Sequence, residues 1–319
     1  MQKMQFWTLE EVLQDQSEPP PPIIDDGILL ENSLLLIGGK QKSGKSMLAY
    51  NFALALAEGR SFAGFKIPFP RRVMFLSAEG GRWSNQKRLK TMSAAFGCAI
   101  PSNLLITFHA GILLHDEEDG KSLRDAIMGY KPDVLIIDPL VKFHSVDENS
   151  ARDMSEIMRI LRDLIEKFRL SVVLIHHMGK DEGRGVRGSS AITAEYDSYI
   201  GLEKTKEGYF LDFDMRHVET PDRTKLQFNP ATLWYERTDQ SAVERILSGQ
   251  AGMTRKELVR ALRSSGEYES DGGAYKGIKK DIDRRAIVFK DELYWLPDHP
   301  ALRSPFSQEK ISGGKIVKS

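Results

Sequence analysis

Between residue 28 and about residue 203, short unbroken apolar runs alternate with longer segments in which apolar residues recur every three or four positions. Short apolar runs are typical of strands covered on both faces, and the longer repeats are typical of amphipathic helices. The predicted strands are 34–37, 73–77, 104–108, 134–137 and 172–175, and the predicted helices lie near 45–58, 84–97, 121–130 and 151–168. This alternation favours a doubly wound α/β fold with a mainly parallel sheet.

The pattern changes twice in the C-terminal third of the chain. Segments 196–202, 208–215, 224–228 and 232–236 indicate antiparallel strands joined by turns that contain Gly or Pro. Helical patterns at 241–248, 254–264 and 273–285 then precede a hairpin of 286–290 and 293–296, which is the order of a winged helix. We therefore predict an N-terminal arm and Pro-rich linker (1–22), an α/β domain (23–240), a winged-helix-like domain (241–298) and a disordered tail (299–319).

The arm has a short amphipathic pattern made of Phe6, Trp7, Leu9, Val12 and Leu13, and a run of four prolines, 19–22, follows it. Consecutive prolines favour a stiff, extended spacer. The arm could pack on its own domain or on a neighbouring subunit, and the sequence favours neither.

Composition narrows the class of protein. The 319 residues include 45 basic and 45 acidic residues, so no global charge points to nucleic acid, although residues 241–319 have 15 Lys and Arg against 11 Asp and Glu. The single cysteine, Cys98, excludes an intrachain disulfide and a cysteine-based zinc site. With no membrane-length apolar run and no signal pattern, we expect a cytoplasmic protein without a membrane partner.

The loop after the first predicted strand carries the strongest motif. Residues 38–46 read GGKQKSGKS and precede a helical pattern, so G-x-x-x-x-G-K-S stands between a strand and a helix. Glycines let backbone N–H groups converge on phosphates, Lys45 would reach the β- and γ-phosphates, and Ser46 would bind Mg²⁺. The alternative is a Gly-rich turn that binds nothing. The motif predicts an ATP site with Mg²⁺, and its binding residues are Gly39, Lys42, Ser43, Gly44, Lys45, Ser46 and Met47.

Two carboxylates follow other predicted strands. Asp138 comes directly after the run 134–137, where it could hold the Mg²⁺ shell, or instead simply cap a helix. Glu79 closes the second strand before Gly80 and Gly81, where it could orient or deprotonate the attacking water, or instead cap the next helix.

His176 and His177 end the fifth strand, and adjacent strand residues point to opposite faces, so one shared metal is not expected. We expect one imidazole to sense the γ-phosphate and to pass its state to the following Gly-rich loop, 178–190. The cations of that loop are Lys180, Arg184 and Arg187. One could meet single-stranded nucleic acid, another could reach a phosphate in the next subunit, and each could equally be a solvated charge.

The third helix of the predicted C-terminal domain is basic. Lys276, Lys279 and Lys280 follow Tyr275, and Arg284 and Arg285 end the helix. In a winged helix this would be the DNA recognition helix, whereas the alternative is a small helical cap with a solvated basic face.

Several of these segments together resemble a known group. The strand that ends at Glu79, IIDPLVKFHSVDEN (136–149), LIHHMGK (174–180) and RGSS (187–190) are similar to the RepA-type hexameric helicases of plasmids, within the RecA-like superfamily. The resemblance covers roughly residues 20–215.

The resemblance implies a RecA-like P-loop NTPase core with antiparallel strands added to the parallel sheet. It implies catalytic roles for Lys45 and Glu79, a Walker B role for Asp138, a sensor position for His177 and an arginine finger at Arg187. The segments after Asp138 and His177 correspond to the loops that line the central channel of such rings.

Two departures leave two functional hypotheses. The first loop carries Asp147 and Glu148, which suit phosphates poorly, and the C-terminal module lies outside the core pattern. The first hypothesis is an ATP-driven DNA helicase or translocase that works as a ring, a hexamer, in plasmid, phage or mobile-element replication. The second is a DNA-binding regulatory or recombination-mediator ATPase that unwinds nothing. Both expect single-stranded or duplex DNA as the partner.

Overall fold

The computed structural model describes most of the chain. The described residues are 6–17, 20–96, 101–108, 111–177, 190–206, 208–238, 241–248, 252–266, 268–283, 286–297 and 302. Cys98 and nearly all of the predicted tail lie outside them.

One large sheet organises the described part of the chain. Its strands are β1 (Leu34–Gly38), β2 (Val73–Ser77), β3 (Leu104–Thr107), β4 (Val134–Asp138), β5 (Ser171–Ile175), β6 (Ser198–Thr205), β7 (Gly208–Met215), β8 (Thr224–Asn229) and β9 (Trp234–Arg237). They lie in the order β3-β2-β4-β5-β1-β6-β7-β8-β9. Strands β3 to β6 along this order are parallel, and β7, β8 and β9 continue the sheet antiparallel. The predicted α/β sheet, mainly parallel with antiparallel strands added, is confirmed.

Strand β6 corrects one detail of the sequence prediction. We expected it to begin the antiparallel part, but it lies parallel to β1, with Leu35 opposite Ser198. A side chain just before the strand contributes to this placement, because the Leu34 amide donates to the Asp197 carboxylate over 2.8 Å. Asp197 also receives the Arg162 guanidinium at 2.9 Å, a contact between distant segments that no local pattern shows.

Helices cover both faces of the sheet. They are α1 (Leu9–Gln14), α2 (Lys45–Glu58), α3 (Gly81–Phe96), α4 (Glu117–Tyr130), α5 (Ala151–Phe168) and α6 (Ser190–Glu195). Alternate residues of β1 enter two separate apolar clusters: Leu35 and Ile37 join α2 on one face, and Leu34 and Leu36 join α4 and α5 on the other. Helix α2 is buried on almost every side, since the antiparallel strands wrap around it.

A smaller module with its own apolar cluster follows the sheet. It contains α7 (Ala242–Leu247), α8 (Arg255–Ser264), α9 (Asp271–Asp283) and the hairpin β10 (Val288–Lys290) and β11 (Leu293–Trp295). Asp291 and Glu292 both have positive φ angles, as a two-residue type I′ hairpin turn requires. Met253 pairs with Tyr294 and ties the segment before α8 to the hairpin.

In the described part of the chain, no helix is both long and apolar enough to cross a membrane.

Candidate functional site

The loop between β1 and α2 is braced by a tyrosine from the far end of the sheet. Gly44, the last loop residue, has φ +98°, and an added Cβ would collide with the Tyr235 hydroxyl. That hydroxyl donates to the Gly44 carbonyl over 3.2 Å. The Ser43 amide donates to the Lys40 carbonyl over 3.2 Å, which closes the turn. Position 44 therefore needs glycine for both its backbone conformation and its close contact.

Lys45 opens α2 and is held within the loop. Its Nζ donates to the carbonyl oxygens of Gly39 and Lys40, each over 2.7 Å. The side chain is only 4% exposed. Burial lowers its pKa to about 8, while the carboxylates of Asp138 and Glu79 act in the opposite direction. A buried ammonium group beside converging backbone N–H groups is what a polyphosphate requires.

Ser46 and Asp138 meet at the same edge of the sheet. The Ser46 Oγ donates to Asp138 Oδ1 over 3.2 Å. Burial raises the pKa of Asp138 to about 7, and nearby Glu79 adds to this, while the Ser46 hydroxyl, Lys45 and Arg88 oppose it. A divalent cation would favour the ionised carboxylate. A hydroxyl and a carboxylate are also ligands suited to Mg²⁺, which normally keeps several waters and binds substrate phosphates as well.

No larger metal cluster competes with this pair. Among the residues that the structure describes, no group of three or more His, Cys, Asp or Glu is placed to hold a metal ion. The residues present therefore fit a nucleotide-borne Mg²⁺ better than a resident metal centre.

Glu79 lies one strand away from Asp138, at the end of β2. Ser77 is the register partner of Asp138, so the residues after both strands emerge at the same edge. Gly80 and Gly81 have φ of +81° and +62° and turn the chain sharply into α3. Asn85, which is 0% exposed, donates to the Glu79 carbonyl over 2.7 Å and fixes this turn.

Five residues of the cleft were not predicted from the sequence. Arg88 donates to Asn85 Oδ1 over 3.0 Å and lines the cleft. Tyr50 and Ser77 share a hydrogen bond of 2.9 Å, and burial raises the pKa of Tyr50 to about 12. The signal that could have found Arg88 and Asn85 is their three-residue spacing, which puts both on one face of α3. The fifth residue is Gly80.

These groups surround a single cleft of about 290 Å³. Of the residues predicted from the sequence, those that line it are Lys42, Gly44, Lys45, Ser46, Met47, Glu79, Asp138 and His177. Gly39 and Ser43 belong to the same loop without lining the cleft. The structure thus brings together residues from the ends of β1, β2, β4 and β5.

The two histidines after β5 have different surroundings. His177 lines the cleft, whereas His176 is 1% exposed and lies with Nδ1 3.8 Å from Glu148 Oε1. The same Glu148 oxygen is 4.0 Å from Nε2 of buried His144. Glu148 therefore faces the histidines of its own chain. Burial lowers the pKa of His144, and the Glu148 carboxylate opposes this.

Lys180, Arg184 and Arg187 lie outside the described residues, as do Arg284 and Arg285. Their predicted roles stay predictions.

Basic residues of the C-terminal module occupy two helices, where the sequence prediction considered only one. Lys276, Lys279 and Lys280 are exposed on α9 as expected. Helix α8 adds a cleft of about 870 Å³ beside Tyr275, and the Arg255 guanidinium lies 4.3 Å from that ring. The lining residues of α8 are Arg255, Lys256, Val259, Arg260 and Arg263. Their signal was present in the sequence, since buried Leu258, Val259 and Leu262 leave the cations on the outer face.

Comparison with known proteins places this architecture. Residues 2–183 match the family model described as the AAA domain. The solved ATPase domain of a helicase is similar in structure, with a TM-score of 0.50 and 16% identity over 65% of this chain and 85% of that chain. A KaiC-like protein of the archaeon Pyrococcus horikoshii OT3 has a TM-score of 0.48 and 13% identity over 68% of this chain and 93% of that chain. No curated protein sequence matches the chain. The fold is that of a RecA-like P-loop ATPase core.

Proposed function

This chain belongs to the AAA domain family, and we propose that it is an ATP-driven DNA helicase or translocase of RepA type. It would work as a ring, a hexamer, in the replication of plasmid, phage or other mobile DNA. One observation carries the proposal: Lys45, Ser46, Glu79 and Asp138 line one cleft at the carboxyl ends of neighbouring parallel strands. Loops in this position have the geometry that phosphoryl transfer requires.

The roles of these residues follow from their surroundings. The loop amides from Gly39 to Met47 would hold the phosphates, and Lys45 would leave its carbonyl partners to reach the β- and γ-phosphates. Ser46 and Asp138 would hold Mg²⁺, which when bound neutralises charge on the β- and γ-oxygens. Glu79 would accept a proton from the attacking water. The water oxygen forms the new bond to the γ-phosphorus while the bond to the bridging oxygen breaks, which releases ADP and phosphate.

The same site would be shared between subunits. We propose that Arg187 reaches the γ-phosphate held by a neighbouring copy and that His177 senses the state of that phosphate. Lys180 and Arg184 would then contact single-stranded DNA from the loop that follows. Support comes from His177, which lines the cleft and immediately precedes this loop.

The C-terminal module would bind DNA as a winged helix within residues 241–298, separate from the ATPase domain of residues 23–240. Its support is the order of α7, α8 and α9 before a two-stranded hairpin, together with basic residues on α8 and α9. Lys276, Lys279 and Lys280 would contact phosphates, and exposed Tyr275 would lie beside them.

A DNA-binding regulatory or recombination-mediator ATPase is the second candidate. The observation that favours it is the large basic cleft of α8, which offers a DNA site distant in sequence from the ATPase loops. One reason for it is weaker in the structure than in the sequence. Glu148, which made the first loop a poor phosphate surface, lies against His144 and His176.

Strand separation distinguishes the two candidates. The experiment measures the unwinding of a forked duplex with ATP, beside Arg187→Ala and across a range of protein concentrations. Unwinding that is lost in Arg187→Ala and rises with assembly supports the helicase. Tight duplex binding with ATP turnover but without unwinding supports the regulatory ATPase.

A further inference from the structure

The N-terminal arm presents an apolar surface to solvent. Phe6, Trp7, Leu9, Val12 and Leu13 are all exposed, from 57% to 81%. Within α1, Leu9, Val12 and Leu13 recur at helical spacing, while Glu10 and Gln14 share a hydrogen bond elsewhere on the helix. No residue of α1 is buried.

Such a helix needs a partner. A helix of six residues is too short to be stable alone in water, because nucleation costs more than so few hydrogen bonds return. A capping box between Thr8 and Glu11 fixes its first turn but covers none of its apolar side chains. The family match begins at residue 2, so the arm lies within the region that the family shares.

A groove on α3 has the matching shape. Its volume is about 460 Å³, and it lies beside β3, an edge strand of the sheet. That volume is within the range of roughly 300–1,000 Å³ that encloses a ligand of drug-like size, and so a few apolar side chains. The residues used here are Arg82, Gln86, Leu89, Lys90, Ser93 and Phe108. Trp83 (76% exposed) and Leu105 (47% exposed) extend the apolar surface of this part of the chain.

The charges of the arm and the groove are opposite. Residues 6–17 contain Glu10, Glu11 and Asp15 and no basic residue. Residues 81–96, which form α3, contain Arg82, Lys87, Arg88 and Lys90 and no acidic residue. Apolar side chains flanked by complementary charge favour one orientation and one partner over others.

We propose that the arm of one copy docks in the α3 groove of a neighbouring copy. The chain itself argues for a partner in trans. Residues 15–22 connect the arm to Ile23, the first buried residue of the core, and can span about 26 Å when extended. The run of prolines in this spacer favours extension away from the arm's own core.

This docking would reach the nucleotide site. Helix α3 presents Arg82, Gln86 and Leu89 to the groove, whereas its Asn85 and Arg88 line the ATP cleft. An arm bound on one face of α3 would therefore contact the helix that positions Glu79 in the neighbouring subunit. The inference extends the proposed ring but does not require that the ring unwinds DNA.

Cross-linking between separately labelled chains tests it. In a Cys98→Ser background, full-length chains with Leu13→Cys are mixed with chains carrying Ser93→Cys and treated with a short bis-maleimide. We expect a covalent heterodimer in at least about tenfold excess over a matched mixture in which Met128→Cys, exposed on α4, replaces Ser93→Cys. Equal yields would overturn the proposal. So would a chain with both cysteines that cross-links only to itself.

Charge exchange supplies a second readout by sedimentation velocity. Glu10→Lys with Asp15→Lys should weaken self-association by about tenfold, and Arg82→Glu with Lys90→Glu should do the same. A chain that carries all four changes should recover most of the association, and failure to recover would contradict the pairing. Leu9→Ala with Leu13→Ala should weaken association on the order of 100-fold. ATP turnover and unwinding are measured separately, so loss of either leaves the docking result interpretable.

Discussion

Replacing Asn85 with alanine tests whether the turn after β2 sets the position of the Glu79 carboxylate. Asn85 is 0% exposed, donates to the Glu79 carbonyl over 2.7 Å and accepts from Arg88 over 3.0 Å. The alanine variant loses one neutral hydrogen bond and one from a charged donor. Such bonds contribute about 1 kcal/mol and about 2 kcal/mol, respectively.

Only part of this loss affects catalysis. The Glu79 carbonyl and the half-buried Arg88 can turn toward water, so about 2 kcal/mol remains after relaxation, and this is divided between stability and active-site geometry. A loss of about 1.4 kcal/mol in the transition state lowers turnover about tenfold. We therefore expect kcat of Asn85→Ala to fall about tenfold, with KM for ATP within about twofold of wild type because the phosphate loop is unchanged.

A coupled assay of ADP release at saturating ATP measures this effect. Ser84→Ala, an exposed neighbour on the same helix, is the matched control and should retain wild-type turnover. Asn85→Asp keeps an acceptor for Arg88 but removes the donor to Glu79, so its kcat should also fall. Wild-type kcat in Asn85→Ala, or a defect confined to KM, would refute the reasoning.

Three further changes test the loop and the histidine cluster. Gly44→Ala should weaken ATP binding at least about tenfold, because its backbone has φ +98° and the new Cβ would meet Tyr235. Tyr235→Phe removes only the hydrogen bond to the Gly44 carbonyl and should weaken binding about fivefold, and fluorescent-nucleotide titration measures both. His144→Gln should reduce the loss of unfolding free energy as pH falls below 6.5, measured by urea unfolding at two pH values. Burial lowers the pKa of folded His144, with coulombic contributions from Glu148, His176 and His115, so the unfolded chain takes up the proton first and wild type loses stability there.

Local sequence determined most of the elements. Helix α2 was predicted with the bounds that the structure has, because the phosphate-loop motif marks its start and an unbroken apolar repeat follows. The buried strands were found because their apolar runs are short and uninterrupted. Helix α3 was predicted to begin near residue 84 and begins at Gly81, since Gly80 and Gly81 take positive φ angles and turn the chain earlier.

Contacts between distant segments explain what the sequence could not predict. The parallel placement of β6 is accompanied by the bonds of Asp197 to Leu34 and Arg162, which lie 163 and 35 residues away along the chain. Tyr235 supports the phosphate loop from 191 residues beyond Gly44. Glu148 was judged by its charge alone, although its contacts with His144 and His176 set its direction.

The central claim is that the cleft hydrolyses ATP in response to DNA, with Glu79 as the catalytic carboxylate. The most direct test measures steady-state ATP turnover of wild type and Glu79→Gln, each with and without single-stranded DNA, beside ATP binding. We predict that single strands stimulate wild-type turnover and that Glu79→Gln binds ATP but turns it over at least about 100-fold more slowly. Slow wild-type turnover that ignores single strands, or retained turnover in Glu79→Gln, would contradict the account.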